Sequence, residues 1–90
     1  MSVGEGATSF ETRCEILSDL WTKYRDQGDL EDFISYNDLG LPLAFAVDEE
    51  LVKANKVGEI LINETFDLLM QALGIDDSGF DSIEDILGAV

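Results

Sequence analysis

The sequence has no histidine, a single cysteine, a single proline and only five lysines and arginines in 90 residues. Each shortage excludes some chemistry. Without imidazole there is no His general base, no Ser-His or Cys-His nucleophile, and no nitrogen ligand of the kind zinc and haem sites usually use. One cysteine cannot form a disulfide within the chain. Cys14 adjoins Arg13, but Glu11 and Glu15 surround it and oppose a thiolate, so it reads as a small buried hydrophobe. Gly28, Gly40, Gly58, Gly74 and Gly79 are scattered and form no phosphate loop. No apolar run approaches the roughly 20 residues that cross a bilayer. Residues Met1 to Gly6 show no basic stretch followed by an apolar one, so no signal peptide is expected. Five dispersed cations offer no cluster to hold a phosphate backbone, and the net negative charge opposes an anionic lipid surface. Direct binding of nucleic acid or membrane is therefore not expected.

What the chain does have is acid. Twenty aspartates and glutamates give a net charge of −15, yet 46% of the residues are hydrophobic. Disordered acidic tails combine high charge with few large apolar residues. Here the apolar share is that of a globular domain. Ninety residues make one domain that buries only about 60–65% of its unfolded surface, so a second copy would help by covering apolar area.

Residues 1–7 are small and glycine-bearing and are expected to be a flexible N-terminus, with a single helical domain over 8–90. Thr8 and Glu11 are spaced as a capping box. Phe10, Cys14, Leu17, Trp21 and Tyr24 then recur at helical spacing, predicting an amphipathic helix over about 9–27 that ends at Gly28. Asp29 is expected to cap a second helix with Leu30, Phe33, Ile34 and Asn37 inward. Gly40 suits a left-handed stop and Pro42 the first turn of the next helix, and the apolar run from Leu43 to Val47 should be buried. Asp48, Glu49 and Glu50 begin another turn with Leu51 and Val52 facing in, and Lys53 to Lys56 is either connector or helix. The main helix is expected over about 57–73. Apolar residues take half its circumference, which requires more than one neighbour and makes it the central helix. After Gly74 and a loop over 76–79, Asp81, Ser82 and Glu84 repeat the cap-and-acid pattern before a short helix over 82–88. The expected fold class is all-α, a compact bundle of four to five helices.

Helix starts absorb ten of the twenty acids: Glu11; Asp29, Glu31 and Asp32; Asp48, Glu49 and Glu50; Asp81, Glu84 and Asp85. Each is worth about 0.3–1 kcal/mol against the helix dipole. The other ten need a different explanation. Of these, Glu15 and Asp19 continue from Glu11 a like-charge column that Lys23 closes. Folding does not require so few lysines, so the remainder points to a basic partner, to mimicry of nucleic acid, or to a salt-rich setting.

No motif marks a catalytic residue, a metal ligand or a cofactor site. The segment from Asp76 to Glu84 fits no frame of a calcium loop. Asp81, Ser82 and Ile83 are similar to the Asp-Ser-Leu motif that carries phosphopantetheine in acyl carrier proteins. In that family half the domain follows the serine, whereas eight residues follow Ser82 here. Arg13 lies within the apolar arc of the first helix, between the directions of Leu20 and Tyr24. It either snorkels or forms a partly buried ion pair, with another helix or across a dimer. Trp21, Tyr24, Tyr36 and Phe80 are the candidate interface.

The stretch from Leu30 to Ala44, with Ile62 to Asp67, resembles small uncharacterised proteins of marine T4-like phages of cyanobacteria, over about half the chain. The resemblance transfers no functional residue. It implies a setting: a small accessory protein made in the cytoplasm of an infected bacterium. The expectation is a non-enzymatic acidic protein that binds a protein partner, of basic charge, and forms a homodimer. The alternatives are a DNA-mimic inhibitor of a DNA-binding host protein and, more remotely, an acyl-carrier-like protein.

Overall fold

The computed structural model describes residues 8–28, 30–48, 50 and 57–89, with Val57 and Ala89 placed by backbone alone. Five helices and no strand occur among the described residues: α1 (Phe10–Gln27), α2 (Glu31–Tyr36), α3 (Gly40–Ala46), α4 (Val57–Leu73) and α5 (Ile83–Ala89). The fold is an all-α bundle with a radius of gyration of 12.6 Å, against about 12 Å for a compact globule of this length.

Ser9, not Thr8, caps α1. Its backbone is extended, and its hydroxyl oxygen accepts the Thr12 N–H at 3.2 Å. Thr8 is buried and engaged elsewhere. With Ser9 as cap, Thr12 takes the third helical position, and the expected Thr8–Glu11 capping box does not form. Either hydroxyl could cap, and the tertiary contact of Thr8 decides between them. At the far end Gly28 takes φ 72° and its N–H reaches the Lys23 carbonyl, a conformation that glycine adopts without a Cβ penalty.

Between α2 and α3 the left-handed residue is Asp38 (φ 55°), not Gly40, which instead opens α3. The Leu39 N–H bonds to the Ile34 carbonyl at 2.9 Å and the Asp38 N–H to that of Ser35 at 3.2 Å. This is a Schellman closure, with an aspartate in the place where glycine is commonest. Aspartate tolerates it because its short polar side chain bonds locally. The Gly74 N–H to Gln71 and Ile75 N–H to Met70 bonds close α4 in the same way.

Helix α1 packs on α3, α4 and α5, and α4 packs on α1 and α3. Ile16, Leu17 and Leu20 of α1 meet Ile62, Phe66, Leu69 and Met70 of α4, with Ile34, Leu39, Leu43, Ile83 and Ile86 completing the core. Each fully buried Leu, Ile or Phe contributes about 1.5–3 kcal/mol. The run from Leu43 to Val47 is not wholly buried. Leu43 and Ala46 are, but Phe45 is 46% exposed, and Leu41 before it is 71% exposed. A two-turn helix laid on α1 and α4 has only one inward face, so the others reach solvent. The N-cap position of α2 is Leu30, with no side-chain cap, not the expected Asp29, because the helix starts one residue later. Asp29 itself and the expectations for residues 1–7, Glu49 and 51–56 lie outside the described residues.

Candidate functional site

Two features of the molecule are candidates. The first is polar and surrounds Arg13, the cation on the inner arc of α1. Arg13 Nη2 donates to Asp77 Oδ2 at 2.8 Å and Nη1 to Asn63 Oδ1 at 2.7 Å. Its guanidinium carbon lies 4.9 Å from the centre of the Phe66 ring, within cation–π range. Asp77 Oδ1 accepts the Thr8 hydroxyl at 2.6 Å and the Gly79 N–H at 3.1 Å, and both carboxylate oxygens accept the Thr8 N–H at 3.0 Å. Thr8 Oγ1 in turn accepts the Phe80 N–H at 2.9 Å. This is the one ion pair formed between two described residues.

The chemistry of this cluster is structural. Partial burial of Asp77 works against its charge, but the hydrogen bonds from Thr8, Gly79 and Arg13 outweigh it and hold the carboxyl below the usual aspartate range. A carboxylate so stabilised is a weak base. The Thr8 hydroxyl already donates to Asp77 and accepts from Phe80, so it is not presented to a substrate. The cluster joins the start of α1, the middle of α4 and the loop into α5. Among the described residues, Arg13 Nε is the one buried side-chain polar atom without a partner.

The second feature is an apolar cleft of about 320 Å³. Leu20 of α1, Leu30 and Phe33 at the start of α2, Leu69 and Leu73 of α4, and Ile83 and Leu87 of α5 line it, without a polar side chain. Its volume is at the lower end of small ligand pockets, about 300–1,000 Å³. Leu30 and Phe33 also line a second hollow with Gly28 and the exposed Glu31 and Asp32, so the two hollows share a wall. Leu30 holds φ 62°, the left-handed region, which costs a leucine about 1–2 kcal/mol.

The candidate interface residues fall in separate places. Trp21 and Tyr24 are half-buried with ring centroids 5.7 Å apart, and the Arg25 guanidinium lies 5.3 Å over Trp21. Tyr24 shares a shallow hollow with Ile34, Ser35, Asp38, Gly40 and Leu41. Tyr36, on α2, is 88% exposed. Phe80 stands beside Thr8 at the opposite end of α1 from Tyr24, about 20 Å along a helix rising 1.5 Å per residue. Sequence reasoning did not single out the cleft residues Leu30, Phe33, Leu73 and Leu87 as a site, nor the exposed Leu41, Phe45 and Ile60. The available signal was Ile83 and Leu87, spaced four apart on a helix of only two turns.

Ser82 serves as a cap for α5. Its Oγ accepts the Asp85 N–H at 3.2 Å, and the Asp85 carboxylate accepts the Asp81 N–H at 3.3 Å. Among the described residues no three acids or cysteines are grouped to hold a metal ion, and no helix is long and apolar enough to cross a membrane. Comparison with family models, with curated proteins and with solved structures finds no match for this chain.

Proposed function

We propose that this chain is a non-catalytic binding protein that takes a protein partner through the cleft between α1, α2, α4 and α5. The observation that carries this reading is the cleft itself, a wholly apolar concavity in a chain of net charge −15. Concave sites lined mainly by apolar side chains, with a few polar groups beside them, are the usual form of a binding pocket. The resemblance to marine phage proteins supplies a setting, an accessory protein acting on a host component. The test is capture from a marine cyanobacterial lysate by wild type and by Leu87→Glu in parallel. A partner retained by wild type and lost from the variant supports the reading. Equal capture by both overturns it.

The proposal includes self-association. Leu41 and Phe45, four apart on one face of α3, are exposed. Two copies each carrying −15 repel, so a homodimer through this face strengthens as salt screens the charge. Sedimentation at low and high salt tests it, and a monomer at every salt concentration overturns it.

A second reading, DNA mimicry, rests on Glu11, Glu15 and Asp19, which stand exposed in one row along α1. It requires competition with DNA for a DNA-binding protein. Competition undiminished when all three are neutralised removes it.

A further inference from the structure

We infer that the cleft receives the apolar face of a cationic amphipathic helix, with lysines or arginines of that helix meeting Glu31, Asp32 and Glu84. The inference rests on the binding reading above and specifies the partner's chemistry. Its first support is continuity. Leu30 and Phe33 belong both to the apolar cleft and to the hollow that contains Glu31 and Asp32, so the two share a wall and the carboxylates stand beside the cleft. Glu84 is exposed on α5 one turn before Leu87, which is 37% exposed and lines the cleft. Residues three apart on a helix lie side by side.

The second support is the sign of the charge. The described cations are Arg13, Lys23 and Arg25, and none of them lines either hollow. Arg13 is held by Asp77 and Arg25 lies over Trp21. Among the described residues no cation pairs with Glu31, Asp32 or Glu84, which leaves these carboxylates for a partner's cations. The same charge disfavours the other occupants. A nucleic acid or anionic lipid surface is repelled, and a second copy brings another −15. A helix with apolar residues at i, i+3, i+4 and i+7 and a basic opposite face satisfies both halves of the site, the helix-in-groove mode of recognition.

The third support is Leu30. A leucine in the left-handed region is strained, and such strain persists only where surrounding structure over-determines it, most often at binding and switch sites. Here the strained residue is one of the two shared by both halves of the site.

Three synthetic helical peptides test the inference by fluorescence anisotropy: one with a leucine face and a lysine face, one with glutamate replacing lysine, and one with serine replacing leucine. The Leu/Lys peptide is expected to bind, more weakly as salt rises. Glu31→Lys with Asp32→Lys should weaken it about tenfold, roughly two partly exposed charge pairs. Glu11→Lys with Glu15→Lys, the same change in net charge away from the cleft, should have a much smaller effect. Leu87→Glu should abolish binding, with helicity by circular dichroism as the folding control. Equal binding of the Ser/Lys peptide, or equal weakening by the two charge-reversal variants, would reduce the effect to bulk electrostatics and overturn the inference. Equal binding of the Leu/Glu peptide that is lost in Leu87→Glu would overturn the cationic partner while leaving the cleft a binding site. Peptide binding indifferent to Leu87→Glu, with lysate capture equally indifferent, would remove the binding reading as well.

Discussion

Arg13 and Asp77, 64 residues apart in the chain, meet at 2.8 Å with each side chain only 18% exposed. Their contact joins α1 to the loop before α5, and Asn63 on α4 shares the guanidinium. A polar clasp of this kind fixes three segments relative to one another, because each partner left alone would be an under-solvated charge.

Asp77→Asn is therefore expected to destabilise the fold by about 1–3 kcal/mol. The amide keeps an acceptor for Thr8 but loses the charge that faces Arg13. For a domain of this size each kcal/mol lowers Tm by about 4–8 °C. Thermal and urea unfolding check this, and an unchanged midpoint would show the clasp to be incidental.

The same pair predicts a pH dependence. The folded carboxyl of Asp77 titrates below its ordinary range, burial being outweighed by the Thr8, Gly79 and Arg13 hydrogen bonds. A depressed folded pKa contributes stability that is fully present above the unfolded value, near about 4, and is lost as pH falls through the folded value. The stability gap between wild type and Asp77→Asn should be constant from about pH 7 to pH 5 and shrink below about pH 4. Urea titrations of both proteins across that interval measure it. A gap that widens on acidification would contradict the assignment.

Cys14 should react slowly with thiol reagents. Burial raises its thiol pKa, and the carboxylates of Glu11 and Glu15 raise it further, against a lowering backbone hydrogen bond. Only the thiolate reacts. Alkylation should accelerate in denaturant, and in Glu11→Gln with Glu15→Gln while the protein stays folded. Cys14 is only partly buried, short of the fully buried hydrophobe expected from the sequence, and a folded-state rate equal to the denatured one would refute even that protection.

Leu30→Gly separates strain from binding. Glycine adopts φ 62° without the Cβ clash, which offsets the lost apolar contact, so stability should stay within about 1 kcal/mol of wild type. Affinity for the Leu/Lys peptide should fall because the shared wall of the cleft is gone. Urea unfolding and anisotropy on one sample read the two effects independently. Unchanged affinity would remove Leu30 from the site.

Much of the fold was legible in the residues. The end of α4 at Leu73 follows from its apolar spacing and from Gly74, and α1 ends at Gly28 as its pattern requires. These are local effects, in which residues three and four apart decide the outcome. The errors are also specific. Thr8 and Ser9 are adjacent, and each is a good cap on local grounds. Asp77, far away in the chain, withdraws Thr8 from the choice. Gly40 is the natural left-handed residue on local grounds, yet the chain turns two residues earlier at Asp38, where the Schellman bonds align with the end of α2.

The sequence by itself determined that this protein is helical, where its two longest helices end, and that it carries a strong negative charge. Periodicity, capping and charge act over a few residues and can be read along a line. Only the tertiary structure decided that Arg13 meets Asp77, and that leucines from α1, α4 and α5 converge with Leu30 and Phe33 on one open cleft. Those contacts depend on how helices far apart in the chain cross in space. An apolar residue that completes the core and one that lines an open cleft look the same in sequence until the neighbouring helix is in place.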